Sequence, residues 1–267
     1  MRNLSTLAWR VYDAPTKPWH GVVADTEGDD SVYVMRVERR DGVSQLTLAH
    51  ITPTGTEELA VLEVASAPPH VPDVADFRLL ADGGSSVNHM PAICVIGSGG
   101  DIVLMPVDEE ASAPAEVVGS VDQGILAAAW SPEEDVLVLI TGGEKRLIVM
   151  TREFEVMSET MLSTEAFGDD QPVNVGWGSK STQFHGSEGK QAAMAAANAP
   201  EESDPRGPLV PEDDGLPRIS WRGDGAFFVT SSAEASHDTV HRILRTYTRT
   251  GTLSATSDRS VRGISHV

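Results

Sequence analysis

With 267 residues, 40 % hydrophobic and 22 % charged, the chain is globular material long enough for one large domain with a sizeable core. Its 40 acidic against 20 basic side chains leave a formal net charge of −20, a field that repels phosphate backbones and excludes a nucleic-acid groove. A single cysteine, Cys94, excludes an internal disulfide framework and suits a reducing compartment; with no signal-peptide or membrane-length apolar run, a soluble intracellular protein is expected.

In chain order, the first apolar runs are SVYVMRV (31–37) and SQLTLAHI (44–51), on either side of Arg39-Arg40-Asp41-Gly42. The Asp-Gly pair predicts a hairpin there. AICVIGSGGDIVLMPV (92–107) is two runs around a Gly-Ser-Gly-Gly-Asp turn, with Cys94 inside the first run as core filler. DVLVLITGGEKRLIVMT (135–151) repeats that design around Gly142-Gly143. Runs of this length, rich in Val, Ile and Thr and bounded by Gly, Asp and Ser, predict strands. Only the Ala-rich QAAMAAANA (191–199) suits a helix. The fold class is all-β.

A repeat narrows the class. Small-apolar runs ending in tryptophan and followed by a turn occur at ILAAAWSPEED (125–135), VNVGWGSK (173–180) and PRISWRGDGAFF (217–228). Trp130, Trp177 and Trp221 are thus blade anchors at a period of about 45 residues. After Trp130 and again after Trp221 come two stronger strands and a weaker one, making four-strand units whose first strand is small and apolar. That is the plan of a WD40-type β-propeller, in which middle strands are covered on both faces by neighbouring blades. A β-sandwich is also built from short strands; the double occurrence of the unit at a repeat period favours the propeller.

The Trp177 unit lacks two obvious strands, leaving open whether it is a degenerate blade or an elaborated connection. From Ala192 to Pro217 the chain carries five prolines and six acidic residues, which predicts a disordered acidic, Pro-rich insertion within a partial propeller spanning 1–267. The closing RGISHV looks like the approach to another inner strand. At this period the chain supplies roughly four to six blades, so the propeller is expected to be incomplete, the N-terminal part of something longer.

The stretch VNVGWGSKSTQFHGSEGKQAA (173–193) is the chemically busiest. It is not a phosphate loop: counted back from Gly189-Lys190, the first glycine position is Phe184, and Gln191 follows the lysine. The Gly176-x-Gly178 start of a dinucleotide fingerprint runs into Ser181 with no βαβ unit around it. His185 beside Ser187 and Glu188 is no triad by adjacency alone. His237 and His241 lack the helix and the glutamate of a zinc protease. No catalytic, cofactor-binding or metal-binding residue is assigned. What remains is a Gly-rich turn displaying Phe184, His185, Glu188 and Lys190, which is either a plain surface loop or a partner-binding one. A propeller hydrolase would need polar groups converging from the small-apolar inner strands, where they are scarce.

The segments VGWGSKSTQFHGSEGKQAA, MRNLSTL, GILAAAWSPEEDVLVLITGGEKRLIVMTREFE, EAFGDD and ISWRGDGAFFVTS resemble, in the same order, the Elongator complex protein 1 family, the large scaffold subunit of eukaryotic Elongator. The region from about 15 to 90 and residues 194–215 carry little of it. The resemblance implies two consecutive N-terminal WD propellers followed by helical repeats in a much longer chain, the present residues being most of the first propeller. It also implies a non-catalytic scaffold with no cofactor. Its partners would be the other Elongator subunits, among them the radical-SAM and acetyl-CoA-dependent catalytic subunit, which modifies the wobble uridine of tRNA, and a second WD-propeller subunit. Contact with tRNA would be indirect or through regions missing here, as would homodimerisation, through C-terminal regions. No membrane partner is implied, and the expected location is the cytoplasm, with the nucleus as a second compartment. A generic WD-repeat adaptor for another complex is the rival reading.

Overall fold

The computed structural model describes residues 21–24, 31–80, 91–107, 114–162, 213–236 and 239–257, and every element among them is a β-strand. The strands form four antiparallel sheets in which chain neighbours are sheet neighbours. Sheet 1 is β1 (Gly21–Ala24), β2 (Val32–Arg40), β3 (Val43–Ile51) and β4 (Thr56–Ala65). Sheet 2 is β5 (Val74–Leu80), β6 (Ala92–Gly97), β7 (Asp101–Pro106) and β8 (Glu116–Ser120). Sheet 3 is β9 (Ile125–Trp130), β10 (Val136–Thr141), β11 (Arg146–Thr151) and β12 (Val156–Met161). Sheet 4 is β13 (Arg218–Trp221), β14 (Phe227–Ser236), β15 (Thr239–Thr248) and β16 (Leu253–Thr256). Each is a four-strand meander, the plan of a propeller blade. The chain divides into two compact units, Met1–Leu162 with Gly223–Gly225, and Ser163–Arg222 with Ala226–Val267. Sheets 1 to 3 lie in the first, sheet 4 in the second.

In the first unit the middle strands are apolar on both faces because both faces are covered. Every residue of β6 and β10 is buried. Successive side chains of β6 and β7 serve opposite partners, as the two-residue strand period requires. Ile93, Val95, Val103 and Met105 pack with Tyr33, Met35, Leu46 and Leu48 of sheet 1. Cys94, Ile96, Ile102 and Leu104 pack with Ile125, Trp130, Leu137 and Leu139 of sheet 3.

The double-glycine turns stitch the three sheets together. Ile125 N–H donates to Ser98 O at 3.1 Å, Val121 N–H to Gly100 O at 3.0 Å, and Gly142 N–H to Gly124 O at 3.0 Å. Asp101, which closes the Gly-Ser-Gly-Gly-Asp turn, accepts the Ala65 amide at 2.7 Å from sheet 1 and the Ser120 hydroxyl at 3.0 Å. Gly100 must be glycine: its φ is +121°, and a Cβ there would run into the Val121 carbonyl. Gly142 is held by proximity alone, against the Gln123 carbonyl.

Sheet 4 is built on different chemistry. Its third strand, β15, carries two buried arginines, Arg242 and Arg245. Arg242 donates from Nε and Nη2 to the two carboxylate oxygens of Asp213, at 2.6 and 2.5 Å, and both side chains are 1 % exposed. Arg245 pairs with Glu234 on β14 and reaches Ser232 Oγ. The bidentate geometry supplies the hydrogen bonds that a buried guanidinium requires. Of the insertion expected at 192–217, residues 192–212 lie outside the described residues. Its last five do not fit the disordered reading, since Asp213 is clamped by Arg242 and accepts the Gly215 amide at 2.8 Å, and Pro217 is buried. A carboxylate counted as a solvating charge is instead the counter-ion of a core arginine.

Candidate docking surface

Phe184, His185, Glu188 and Lys190, as well as Trp177 and the Ala-rich 191–199, lie outside the described residues. Trp130 and Trp221 lie inside. Both end the first strand of their sheet, and each begins a row of side chains running across three strands. In sheet 3 the row is Trp130–Leu137–Met150, and in sheet 4 it is Trp221–Phe228–Tyr247. Trp130 is 3 % exposed and meets Phe154 edge-on, with centroids 6.0 Å apart. Its indole N–H is buried without a hydrogen-bond partner, and the ring packs in the same core cluster as Cys94. Trp221 is only half-buried, its ring 4.9 Å from that of Phe228.

Cys94 shares the core cluster of the Trp130 anchor. The Cys94 thiol is buried, and burial pushes its pKa far up, with the nearby Asp76 charge adding to the rise. A buried thiol held in its protonated form is a poor nucleophile. Among the described residues no group of three or more His, Cys, Asp or Glu could hold a metal ion. No described helix is long and apolar enough to cross a membrane.

The outermost strands are the surface that remains. β4, β8 and β12 each end their sheet, and an edge strand offers backbone and side chains to other molecules unless it is guarded. β4 is guarded by exposed Glu57, Glu58 and Glu63 around a single exposed valine, Val61. β12 is guarded least. Val156, Met157 and Met161 are 59, 46 and 40 % exposed, three of the seven large hydrophobics exposed among the described residues. Beside them Arg146 is bound by Glu159 at 2.7 Å and Glu144 at 2.6 Å, contacts that raise its pKa further, Glu159 first. Exposed methionines adapt to varied partner shapes, and apolar side chains concentrated on one strand mark interaction surface. In the sequence, VMSETM reads only as a weak strand, because exposure is decided by the absence of a fifth strand.

Comparison with known proteins bears on what such a surface serves. A family model described as "ELP1 first N-terminal beta-propeller" matches residues 1–267. The chain is 32 % identical over 275 residues to Elongator complex protein 1 of Mus musculus, covering 99 % of this chain and 18 % of that protein. It is 40 % identical over 172 residues to the Drosophila melanogaster protein of that name, covering 63 % of this chain and 13 % of the relative. The Schizosaccharomyces pombe protein is 38 % identical over 169 residues, 62 % of this chain and 13 % of its own length. The chain therefore spans less than a fifth of these relatives.

Proposed function

We propose, starting from the fact that this chain belongs to the Elongator complex protein 1 family as its first N-terminal β-propeller, that it is a non-catalytic scaffold piece docking other Elongator subunits. The family match across all 267 residues carries this reading. The apolar outer strand β12 supports it by offering a surface suited to a protein partner. In this reading the propeller helps to place the radical-SAM and acetyl-CoA-dependent subunit that makes 5-methoxycarbonylmethyl and 5-carbamoylmethyl uridine at the tRNA wobble position. The net charge of −20 leaves tRNA contact to other parts of the assembly. A second WD-propeller subunit is a further partner, homodimerisation belongs to regions outside this chain, and the work is done in the cytoplasm and also the nucleus.

Affinity purification of the tagged chain tests this. Recovery of the catalytic Elongator subunit is the expected result. Met157→Glu and Met161→Glu are expected to weaken that recovery without lowering the melting temperature, because both side chains already face water. Phe184→Ala and His185→Ala are expected to behave likewise. A wild-type chain that brings down an unrelated complex instead is a generic adaptor, and turnover by the purified chain alone ends the scaffold reading.

A further inference from the structure

Asp76 lies on β5 at a register shift in its pairing with β6, and the shift re-aims the side chains that follow it. Asp76, Arg78 and Leu80 alternate onto one face of the strand, and Leu80 packs into the core shared by sheets 2 and 3. The groups around Asp76 can be named element by element. Arg78 is its neighbour on β5, Cys94 lies on β6, and Trp130 of β9 packs in the same core cluster as that cysteine. The β9–β10 turn adds Glu134, whose carboxylate takes the Arg78 Nε–H at 3.2 Å. Arg78 is thus bonded to another carboxylate. Asp76 Oδ2 is buried with no hydrogen-bond partner.

An ionised carboxylate in that position keeps one oxygen buried and unbonded, with only the Phe77 amide and the Arg78 charge in its favour, whereas the neutral acid escapes most of that cost. We propose that the contact between sheets 2 and 3 is a proton-held seam: Asp76 is a neutral acid when the seam is closed, and release of its proton to solvent loosens β5 from β9. Burial supports this by pushing the Asp76 pKa up to about 6, with Arg78 and the Phe77 amide pulling weakly the other way. The sign follows. A carboxyl whose folded pKa is raised stabilises the closed seam fully below its free value near 4, and that contribution is lost as pH rises through about 6. The window lies just below neutrality, where a scaffold could sense its surroundings.

The test is hydrogen exchange at the Leu80 and Cys94 amides of the full chain between pH 5 and 7.5, corrected for intrinsic rates, in wild type and Asp76→Asn. Over that span the wild-type opening constant is expected to rise about tenfold more than that of the variant. Parallel profiles, or a variant that opens more at every pH, overturn the proposal. Should Asp76→Asn fail to fold, the wild-type chain still decides: a carbon-13 titration of the Asp76 carboxyl with its midpoint near 6 upholds the seam, and one below 4.5 refutes it.

Discussion

Sheets 3 and 4 follow one strand plan with two chemistries, and the difference lies in where each keeps its aromatic and charged groups. In sheet 4 the row from Trp221 continues through Phe228 and Tyr247, stacked at 5.3 Å, and the turns that follow β13 and β15 use glycine. Gly225 and Gly251 hold φ of 66° and 84°. In sheet 3 the row continues through Leu137 and Met150, and the equivalent turn positions are Glu134 and Phe154, at φ 59° and 63°. The turns themselves match: Phe154 N–H donates to Thr151 O as Gly251 N–H does to Thr248 O, and Ser131 N–H to Val136 O as Arg222 N–H does to Phe227 O. Left-handed backbone costs a side-chain-bearing residue about 1–2 kcal/mol, and two of the three such residues in sheet 3, Glu134 and Phe154, make a contact with another strand or turn. Phe154 covers the Trp130 indole, and Glu134 takes the Arg78 guanidinium.

The third strands differ as well. In β11, RLIVMT, Leu147, Val149 and Met150 are buried hydrophobics; in β15, Arg242 and Arg245 take core positions. Apolar packing tolerates loss in proportion to the volume removed, whereas a buried ion pair fails sharply when one partner goes.

The largest effect expected from breaking this comparison is at Trp130. Trp130→Ala is expected to cost about 4 kcal/mol in denaturant unfolding, and Trp221→Ala, at a half-buried site, about 2. Equal losses at the two sites would mean that the rows are energetically alike. Next comes Asp213→Ala, which strands Arg242 and is expected to cost about 3 kcal/mol, while Asp213→Ala with Arg242→Met recovers most of that loss. The same pair has an acid limit. Arg242 holds the Asp213 pKa below the usual carboxylate value, so its contribution is complete above about pH 4 and is lost as pH falls through the folded value; an acid melt of wild type against the double variant reads it. Phe154→Gly sharpens the comparison at smaller scale. Relief of the left-handed strain offsets part of the lost ring packing, for a net loss of about 1 kcal/mol. Last, Arg146→Ala is expected to leave the thermal midpoint nearly unchanged, since its ion pairs with Glu144 and Glu159 lie at the surface, where such pairs contribute little.

Much of this architecture was legible before the structure. The runs 125–151 and 217–256 correspond to β9–β11 and to β13–β16, because continuous apolar runs and double-glycine turns are local signals. β4, β5 and β8 were not. TEELAVLEVA is rich in good helix formers, yet β4 is a strand because Leu59, Leu62 and Val64 complete the core of sheets 1 and 2. In β5, Asp76 and Arg78 break the apolar run that would have betrayed it. The outer strand β12 was seen as a strand but not as an exposed apolar one, and the loop at 184–190 lies outside the described residues.

The order of letters along the chain decided that strands form, where they turn, and that both faces of the middle ones must be covered. Tertiary structure decided what covers them: that Arg242 finds Asp213 across 29 residues, that Glu134 takes Arg78 across 56, and that Asp76 Oδ2 is buried without a partner. Backbone propensity and side-chain period act between near neighbours, whereas desolvation and charge pairing depend on distances in space that only the packed sheets create.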